Sequence, residues 1–137
     1  MKITIPGVPV GKGRPKFSTF NGHAVAYTPE KTVNYENLVK LSFQQSDETA
    51  FDRETQLRAE IIAYFPIPKS TSKKKRDEME RGLIFPTKKP DTDNIAKAIL
   101  DALNGLAYYD DAQVVHLEVQ KRYSNEPRAE VFINDIQ

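Results

Sequence analysis

The most constraining feature of this sequence is an apolar stripe between residues 95 and 106. Six residues stand at the spacing of one helical face: Ile95, Ala98, Ile99, Ala102, Leu103 and Leu106. A helix with so continuous an apolar face has to bury it against another element of the fold. Asp93 suits the N-cap position, and Asn104–Gly105 suits the C-terminal end. The stripe therefore predicts an amphipathic helix near residues 93–107.

Other segments show either helical spacing or the alternation of a strand. Leu57 to Phe65 alternates cleanly and predicts a central strand that ends at Pro66. Shorter alternations predict strands near residues 2–5, 115–119 and 129–133. A second helix is predicted from Thr28 as N-cap and Pro29 as first helical residue, with an apolar face formed by Tyr35, Leu38, Val39 and Phe43.

The order of these elements defines the expected fold class. Residues 11–23 are rich in glycine and predict a flexible basic loop, and "HAVAY" predicts a short returning strand. The basic segment from Lys69 to Gly82 suggests a short helix. We therefore expect one α+β domain over residues 1–137, in which two main helices pack on a mixed sheet of about five strands.

Composition excludes several classes of protein. The chain has 137 residues, enough for one domain with one core, and it contains no cysteine. A disulfide scaffold, thiolate metal ligands and a cysteine nucleophile are therefore excluded. The start of the chain lacks the apolar run of a signal peptide, and no segment has the length of a membrane span. We expect a cytoplasmic protein without a membrane partner.

Charge is segregated along the chain although the formal net charge is only +1. The first 31 residues carry five basic side chains against the single carboxylate of Glu30, and a second basic run lies between Lys69 and Lys89. From Asp110 onward acidic residues outnumber basic ones. A basic face around an acidic pocket suits a polyanion handled by a metal ion. The run "SKKKRDEMERG" alone is more typical of a solvated surface.

Aspartates flank the predicted helix at both ends. Asp91 and Asp93 come just before or at its start, and Asp110 and Asp111 follow it. A helix rises about 1.5 Å per residue, so ends near Asp93 and Ala107 would lie about 20 Å apart. The two pairs meet only if the segment "NGLAYY" turns the chain back towards the start of the helix.

If three of these carboxylates converge, they form a hard oxygen site suited to Mg²⁺ or Mn²⁺. Such an ion activates water for phosphodiester hydrolysis, and Lys97, one helical turn after Asp93, could neutralise a phosphate. Helix capping, turn formation and a simple Asp93–Lys97 surface pair remain open alternatives from spacing alone. A calcium-binding EF-hand is excluded, because Ile95 and Ala102 stand where oxygen ligands are required.

Other candidate groups carry weaker signals. His23 and His116 are isolated, and His116 is expected to be an ordinary strand residue. "GKG" lacks the pattern of a phosphate-binding P-loop. Phe17 and Phe20 suit stacking between bases, although loop aromatics more often pack beneath their own loop.

The segment "KKPDTDNIAKAILDALNGLAYYDDAQVV" resembles the signature of RusA-type Holliday junction resolvases, especially phage and prophage members. The resemblance extends through "GVPVGKGRPKF", "FPIPKSTSKKKR" and "KRYSNEPRAEV", and so covers nearly the whole chain. The ordered pattern of aspartates, asparagine and lysine makes it specific. The N-terminal loop and the inserted "KSTSKKKRDEMERG" depart from the best-known members, so no cleavage-site preference is carried over.

The resemblance implies a homodimeric, Mg²⁺-dependent endonuclease that resolves four-way DNA junctions by paired nicks in recombination and repair. It implies a nucleoid-associated protein of a bacterial or phage-infected cell. The implied metal ligands are Asp91, Asp93 and Asp111, with Lys97 as the essential lysine and Asp110 as an acid of open role. The basic residues expected to face DNA are Lys12, Arg14, Lys16, Lys73, Lys74, Lys75 and Arg76. A broader branched-DNA or flap nuclease and a non-catalytic DNA-binding replication accessory protein are the alternatives.

Overall fold

The computed structural model describes residues 1–136, which form six strands, three α-helices and one turn of 3₁₀-helix. The strands are β1 (Lys2–Pro6), β2 (Lys16–Phe20), β3 (His23–Tyr27), β4 (Leu57–Pro66), β5 (Val114–Ser124) and β6 (Arg128–Asp135). The helices are α1 (Glu30–Gln45), α2 (Lys73–Glu80) and α3 (Thr92–Ala102), and the 3₁₀ turn spans Asp111–Gln113. The α+β class is confirmed, as is the short helix in the basic segment.

The main sheet has four strands in the order β1-β6-β4-β5. β6 is antiparallel to both β1 and β4, whereas β5 is parallel to β4. The sheet is therefore mixed, and β4 is an interior strand as its alternation predicted. β5 forms one edge of the sheet and pairs with β4 alone.

The core lies between one face of this sheet and the helices α1 and α3. The stripe of α3 is buried: Ile95, Ala98 and Ile99 are 0% exposed. The inward residues of β4 from Leu57 to Ala63 are buried with them, as are Tyr35 and Val39 of α1. Each fully buried aliphatic side chain contributes about 1.5–3 kcal/mol of transfer free energy. The apolar patterns in the sequence thus predicted the core.

The ends of both main helices differ from the predictions. α3 begins at Thr92 with Asp91 at its N-cap, so Asp93 lies in the first turn and is not the cap. α3 ends at Ala102, and the backbone after it closes a turn in which Gly105 has a φ of 74°. α1 begins at Glu30, one residue later than predicted, a difference within the usual uncertainty of helix ends.

The segment predicted as a basic loop forms half of a separate β-hairpin. β2 pairs with β3 in a two-stranded sheet of its own, so "HAVAY" is a strand but does not join the main sheet. Asn21 and Gly22 connect the strands with φ values of 52° and 79°, which is typical of a type I′ turn. The prediction of about five strands in one sheet was wrong, because this hairpin stands apart.

Within residues 1–136, no helix is long and apolar enough to cross a membrane.

Candidate functional site

The N-terminal end of α3 presents two aspartates. Asp91 is the N-cap residue, and its backbone oxygen accepts a hydrogen bond from Ile95 N at 3.1 Å. Asp93 stands in the first turn, and both side chains are exposed. The helix dipole favours negative charge at this end. Lys89 Nζ lies 3.2 Å from Asp91 Oδ2, so the carboxylate already has one cationic partner at the surface.

Lys121 of β5 holds the backbone that leads into Asp91. Its Nζ donates hydrogen bonds to Lys88 O at 2.6 Å and to Pro90 O at 3.0 Å. This role could not be predicted from the sequence, because nothing there distinguishes Lys121 from its neighbours in the strand. The contact fixes the approach of the chain to α3 and therefore the position of the Asp91 carboxylate.

Three charged residues form one row along α3. Asp93, Lys97 and Asp101 follow each other at intervals of four residues, so each lies one helical turn from the next. Lys97 is exposed, and among residues 1–136 it forms no ion pair with Asp93. The simple surface pair proposed as an alternative is therefore absent from the described structure.

Asp110 and Asp111 lie at the opposite end of α3. Asp110 caps the 3₁₀ turn by accepting a hydrogen bond from Ala112 N at 3.2 Å, and Asn104 Oδ1 accepts one from Asp111 N at 2.8 Å. Partial burial, together with hydrogen bonding and negative charge from Asp110 and Asp101, raises the pKa of Asp111 above its usual value. Asp101 and Asp111 are thus direct neighbours.

The predicted return of Asp111 to the start of its own helix was wrong. Tyr108 is 1% exposed and donates a hydrogen bond to Leu100 O, which fixes the chain at the C-terminal end of α3. Gln113 Nε2 donates to Asp52 O at 2.9 Å and to Thr55 O at 3.0 Å, which anchors the 3₁₀ turn to the segment before β4.

The two ends of α3 therefore carry separate acidic groups. Asp101 lies eight residues after Asp93, which corresponds to about 12 Å along a helix axis. Within residues 1–136, no three acidic or histidine side chains are placed so that one chain could hold a metal ion with them. The predicted ligand set of Asp91, Asp93 and Asp111 does not assemble within a single chain.

Asp101 is more than a surface residue of α3, because it belongs to an ion-pair network. Lys12 Nζ lies 3.4 Å from Asp101 Oδ2 and 3.1 Å from Glu36 Oε2, so it joins α3 to α1. Burial lowers the pKa of Lys12, but the two carboxylates outweigh this effect and hold the pKa above its usual value. The DNA-binding role expected for Lys12 remains a prediction, and its ammonium already has two internal partners.

Two hydrogen bonds attach the loop before the hairpin to α3 and α1, so the loop is not freely flexible. Lys12 N donates to Asn94 O at 2.8 Å, and Gly13 N donates to Thr32 Oγ1 at 2.9 Å. A Cβ atom at Gly11 would lie 2.7 Å from Pro90 Cβ, so only glycine fits there without displacement. Beyond this anchor, Arg14 and Lys16 are exposed.

A cleft of about 470 Å³ lies between this loop, the start of α1 and the start of α3. Four lysines are among its lining residues, which include no carboxylate: Lys12, Lys16, Lys31 and Lys89. The cleft reaches Asn94 and Pro90, the immediate neighbours of the two aspartates at the start of α3. Positive charge is therefore concentrated beside that end of the helix, which favours a polyanion there.

The second basic group lies on α2, near the C-terminal end of β5. Lys73, Lys74 and Lys75 are exposed, whereas Arg76 donates to Pro68 O at 3.3 Å. Asn125 Nδ2 donates to Glu80 Oε1 at 2.9 Å, which ties α2 to the residues that follow β5. Since Lys121 lies near this end of β5, the basic helix and the Asp91 end of α3 occupy the same side of the molecule.

Neither histidine belongs to the acidic groups. His116 lies on β5 and contacts Glu118 Oε1 at 3.1 Å, as expected for a strand residue at the surface. His23 begins β3 in the exposed hairpin.

The model of the family described as "Endodeoxyribonuclease RusA" matches residues 6–134. This match covers nearly the whole chain, and the protein therefore belongs to the RusA endodeoxyribonuclease family, a family of hydrolases that act on DNA junctions.

Two curated relatives are consistent with this membership. The chain is 43% identical to the uncharacterized protein YqaN of Bacillus subtilis (strain 168) over 139 residues, covering 99% of this chain and 96% of that protein. It is 27% identical over 111 residues to a protein named crossover junction endodeoxyribonuclease rusA of Lactococcus phage r1t, covering 80% of this chain and 77% of that one. The family resemblance seen in the sequence is confirmed.

Proposed function

We propose that the protein is a Mg²⁺-dependent endonuclease that resolves four-way DNA junctions by paired nicks in recombination and repair. One observation carries this proposal: Asp91 and Asp93 stand together at the start of α3, and Lys97 follows one helical turn later. Basic groups on α2 and in the N-terminal loop lie on the same side of the molecule. This combination places carboxylates for a cation and ammonium groups for phosphates around one surface.

The donor set at this surface fits a hard divalent cation. Asp91 and Asp93 offer only carboxylate oxygens, and half of the Asp91 side chain is exposed. Mg²⁺ is commonly bound through one or two carboxylates, with water and substrate phosphate completing its shell. A bound cation of this kind lowers the pKa of a coordinated water and stabilises the leaving oxygen of a phosphodiester.

Other steps of the proposed reaction are assigned to particular residues of the chain. Asp91 and Asp93 hold the cation, and Lys121 keeps Asp91 in place through the Lys88–Pro90 backbone. Lys97 neutralises charge that develops on the scissile phosphate. The exposed basic residues of the loop and α2 bind neighbouring phosphates, so affinity should fall steeply with salt.

A homodimer would bring together the carboxylates that lie at opposite ends of α3 in the single chain. β5 is an edge strand whose outer side has no partner strand among the described residues. Its residues 115–118 are all exposed, including Val115 at 63% and Leu117 at 44%. Such an edge readily accepts a second strand. The two ends of β5 have opposite charge, with Asp111 just before the strand and Lys121 near its end, and a two-fold axis would bring these ends together.

We infer that antiparallel pairing of two β5 strands places an acid of one chain beside the aspartates of the other. If the pairing centres near His116, residue 111 of one chain lies opposite residue 121 of the other. Asp91 lies beside Val119–Lys121, in a common surface pocket. Asp111 of the partner subunit would then complete the cation site, and the raised pKa of its carboxyl would be offset by the cation.

A panel of DNA substrates tests the proposal. The purified protein is incubated with Mg²⁺ and end-labelled four-way, three-way, flap and linear DNAs of equal length, and the products are mapped on denaturing gels. We expect symmetric paired nicks in the four-way junction alone, and none with Asp93→Asn, which should still bind that junction. Cutting of every branched form would favour the broader nuclease. Binding without cutting would favour the accessory protein.

A further inference from the structure

The β2–β3 hairpin exposes aromatic side chains that neither the core nor the cation site uses. Every residue of both strands is exposed. Phe17 is 71% and Phe20 is 68% exposed, and Val25 and Tyr27 of the opposite strand are 43% and 47% exposed. The expectation that Phe17 and Phe20 pack beneath their own loop is therefore wrong. An apolar surface of this kind on a projecting element marks a place of contact.

The hairpin has aromatic groups on both of its faces. Adjacent residues of a strand point to opposite sides, so Phe17 and Phe20, three positions apart, lie on opposite faces. Val25 and Tyr27 share the face of Phe20, since Lys16 pairs with Tyr27 and Phe20 with His23. The hairpin therefore carries one phenylalanine ring on each face, so each face offers a ring on which an unstacked base can lie.

The base of the hairpin is fixed, although its tip projects. Gly13 N is bound to Thr32 Oγ1 at 2.9 Å on α1, and Lys12 N is bound to Asn94 O at 2.8 Å on α3. The same anchor lies next to Pro90 and Asn94, which flank the two aspartates of the cation site. The base of the hairpin therefore lies beside the proposed cation site.

The charge of this segment identifies the occupant as nucleic acid. Between residues 13 and 27 the chain carries Arg14 and Lys16, both exposed, and no carboxylate. A protein partner chosen by apolar contact alone would not require this one-signed surface, whereas a polyanion would. Exposed aromatics combined with a basic backbone-tracking surface are the usual means of binding unstacked bases.

We propose that the hairpin inserts Phe17 and Phe20 among the bases at the branch point of the DNA. This inference deepens the function proposed above and rests on it. Bases at a branch point have lost a regular stacking neighbour, so they are less costly to unstack than bases within a duplex. Stacking on the two rings would then favour branched DNA over linear duplex, while Arg14 and Lys16 would bind both.

Fluorescence of 2-aminopurine at the branch point tests the insertion directly. The probe is placed beside the crossover of a four-way junction, and the full-length protein is added in EDTA to prevent cleavage. We expect the wild-type protein to raise the fluorescence by unstacking the base, and Phe17→Ala/Phe20→Ala to lose most of this rise. Junction binding should weaken roughly tenfold or more in the double variant, and binding to linear duplex less than twofold.

Two controls separate stacking from structural effects. Phe17→Tyr/Phe20→Tyr retains both rings and should behave like the wild type. Leu41→Ala removes an exposed apolar side chain (46%) from α1, away from the hairpin, and should change neither measurement. An unchanged fluorescence rise in the alanine double variant would overturn the proposal. Equal losses on junction and duplex, or conversion of a dimer to a monomer, would also overturn it.

Measurements on the wild-type protein distinguish a failure of the hairpin proposal from a failure of the proposed function on which it rests. Failure of the wild type to bind or cut a four-way junction would contradict the proposed function. Normal junction cutting by the wild type, combined with normal junction affinity in the alanine double variant, would contradict the hairpin's role alone.

Discussion

At the scale of single residues, Lys97 stands between two carboxylates on the charged row of α3. The sequence alone does not determine whether the Lys97 ammonium pairs with Asp93 or with Asp101, since both lie one helical turn away. Asp101 is already paired with Lys12 at 3.4 Å, and Lys97 is exposed. Its ammonium is therefore available for a phosphate, as the family resemblance implied.

We predict that Lys97→Ala slows cleavage of the bound junction by about 100-fold or more, as expected when one charge-stabilising group is removed. Junction affinity should change much less, because the other basic residues still contact phosphates. Single-turnover cleavage at saturating protein measures the first quantity and gel mobility shift the second. Lys40→Ala, at an exposed position of α1, is the control. A loss of affinity with an unchanged bound-state rate would make Lys97 a DNA contact only.

Asp111 provides a second prediction at this scale, about stability and pH. Its pKa is raised in the folded chain, so the stability that depends on its protonated form is present at low pH. That contribution is lost as the pH rises through the raised pKa. In EDTA, Asp111→Asn should therefore be more stable than the wild type at pH 8, and the difference should shrink as the pH is lowered.

Urea unfolding of both proteins at pH 4, 5, 6 and 8, a series that starts near the usual pKa of an aspartate, measures this difference. Asp47→Asn, at an exposed position after α1, is the matched control and should show no comparable gain. If Asp111→Asn is equally stable or less stable at pH 8, the repulsion from Asp101 and Asp110 does not operate as inferred.

At the scale of elements, periodic segments could be predicted from the sequence, and segments fixed by distant partners could not. The stripe of α3 and the alternation of β4 determined which faces are buried, because a single pattern extends over several turns or residues. β2 was missed because both of its faces are exposed, so it shows no apolar alternation. The position of Asp111 was missed because Gln113 is anchored to Thr55, 58 residues earlier in the chain.

The turn after α3 depends on the buried phenol of Tyr108. Its hydroxyl donates to Leu100 O near the end of the helix, where carbonyl groups lack helical partners. Tyr108→Phe leaves this buried carbonyl without its donor and should lower the free energy of unfolding by about 1–3 kcal/mol.

Tyr109→Phe is a matched control for that change. Tyr109 is 60% exposed, and its ring stacks on Arg53 at 3.7 Å, a contact that phenylalanine keeps. Tyr109→Phe should lower the free energy of unfolding by no more than about 0.5 kcal/mol. Chemical denaturation of the two variants compares them, and equal stability of both would show that the Tyr108 hydroxyl does not hold the turn.

At the scale of the whole molecule, the separation of the acidic groups gives the proposed dimer a part in the proposed chemistry. The aspartates that the family resemblance assigns to one cation lie at opposite ends of α3 in a single chain. In the proposed dimer, antiparallel pairing of the exposed β5 strands would bring these groups together across a two-fold axis. The candidate site residues were named from the sequence and remain predictions, whereas the position of Asp111 could not be predicted, because it depends on contacts of the 3₁₀ turn with Asp52 and Thr55.

Mixing two inactive variants tests this shared site. Asp93→Asn and Asp111→Asn should each be inactive alone. If each site takes Asp93 from one chain and Asp111 from the other, a mixed dimer contains one intact site and one doubly defective site. We therefore predict that mixing the unfolded variants and refolding them together restores single nicks in four-way DNA. If all three ligands came from one chain, no mixture would recover activity.

Supercoiled plasmid DNA that extrudes a cruciform tests whether the protein cuts four-way junctions by paired nicks. The four-way junction exists only while the plasmid is supercoiled, so a single nick relaxes the DNA and abolishes the substrate. With Mg²⁺, the wild-type dimer should convert the plasmid mainly to the linear form, with cuts at symmetric positions across the junction. Accumulation of relaxed nicked circles as the main product, or recovery of uncut plasmid, would contradict the account.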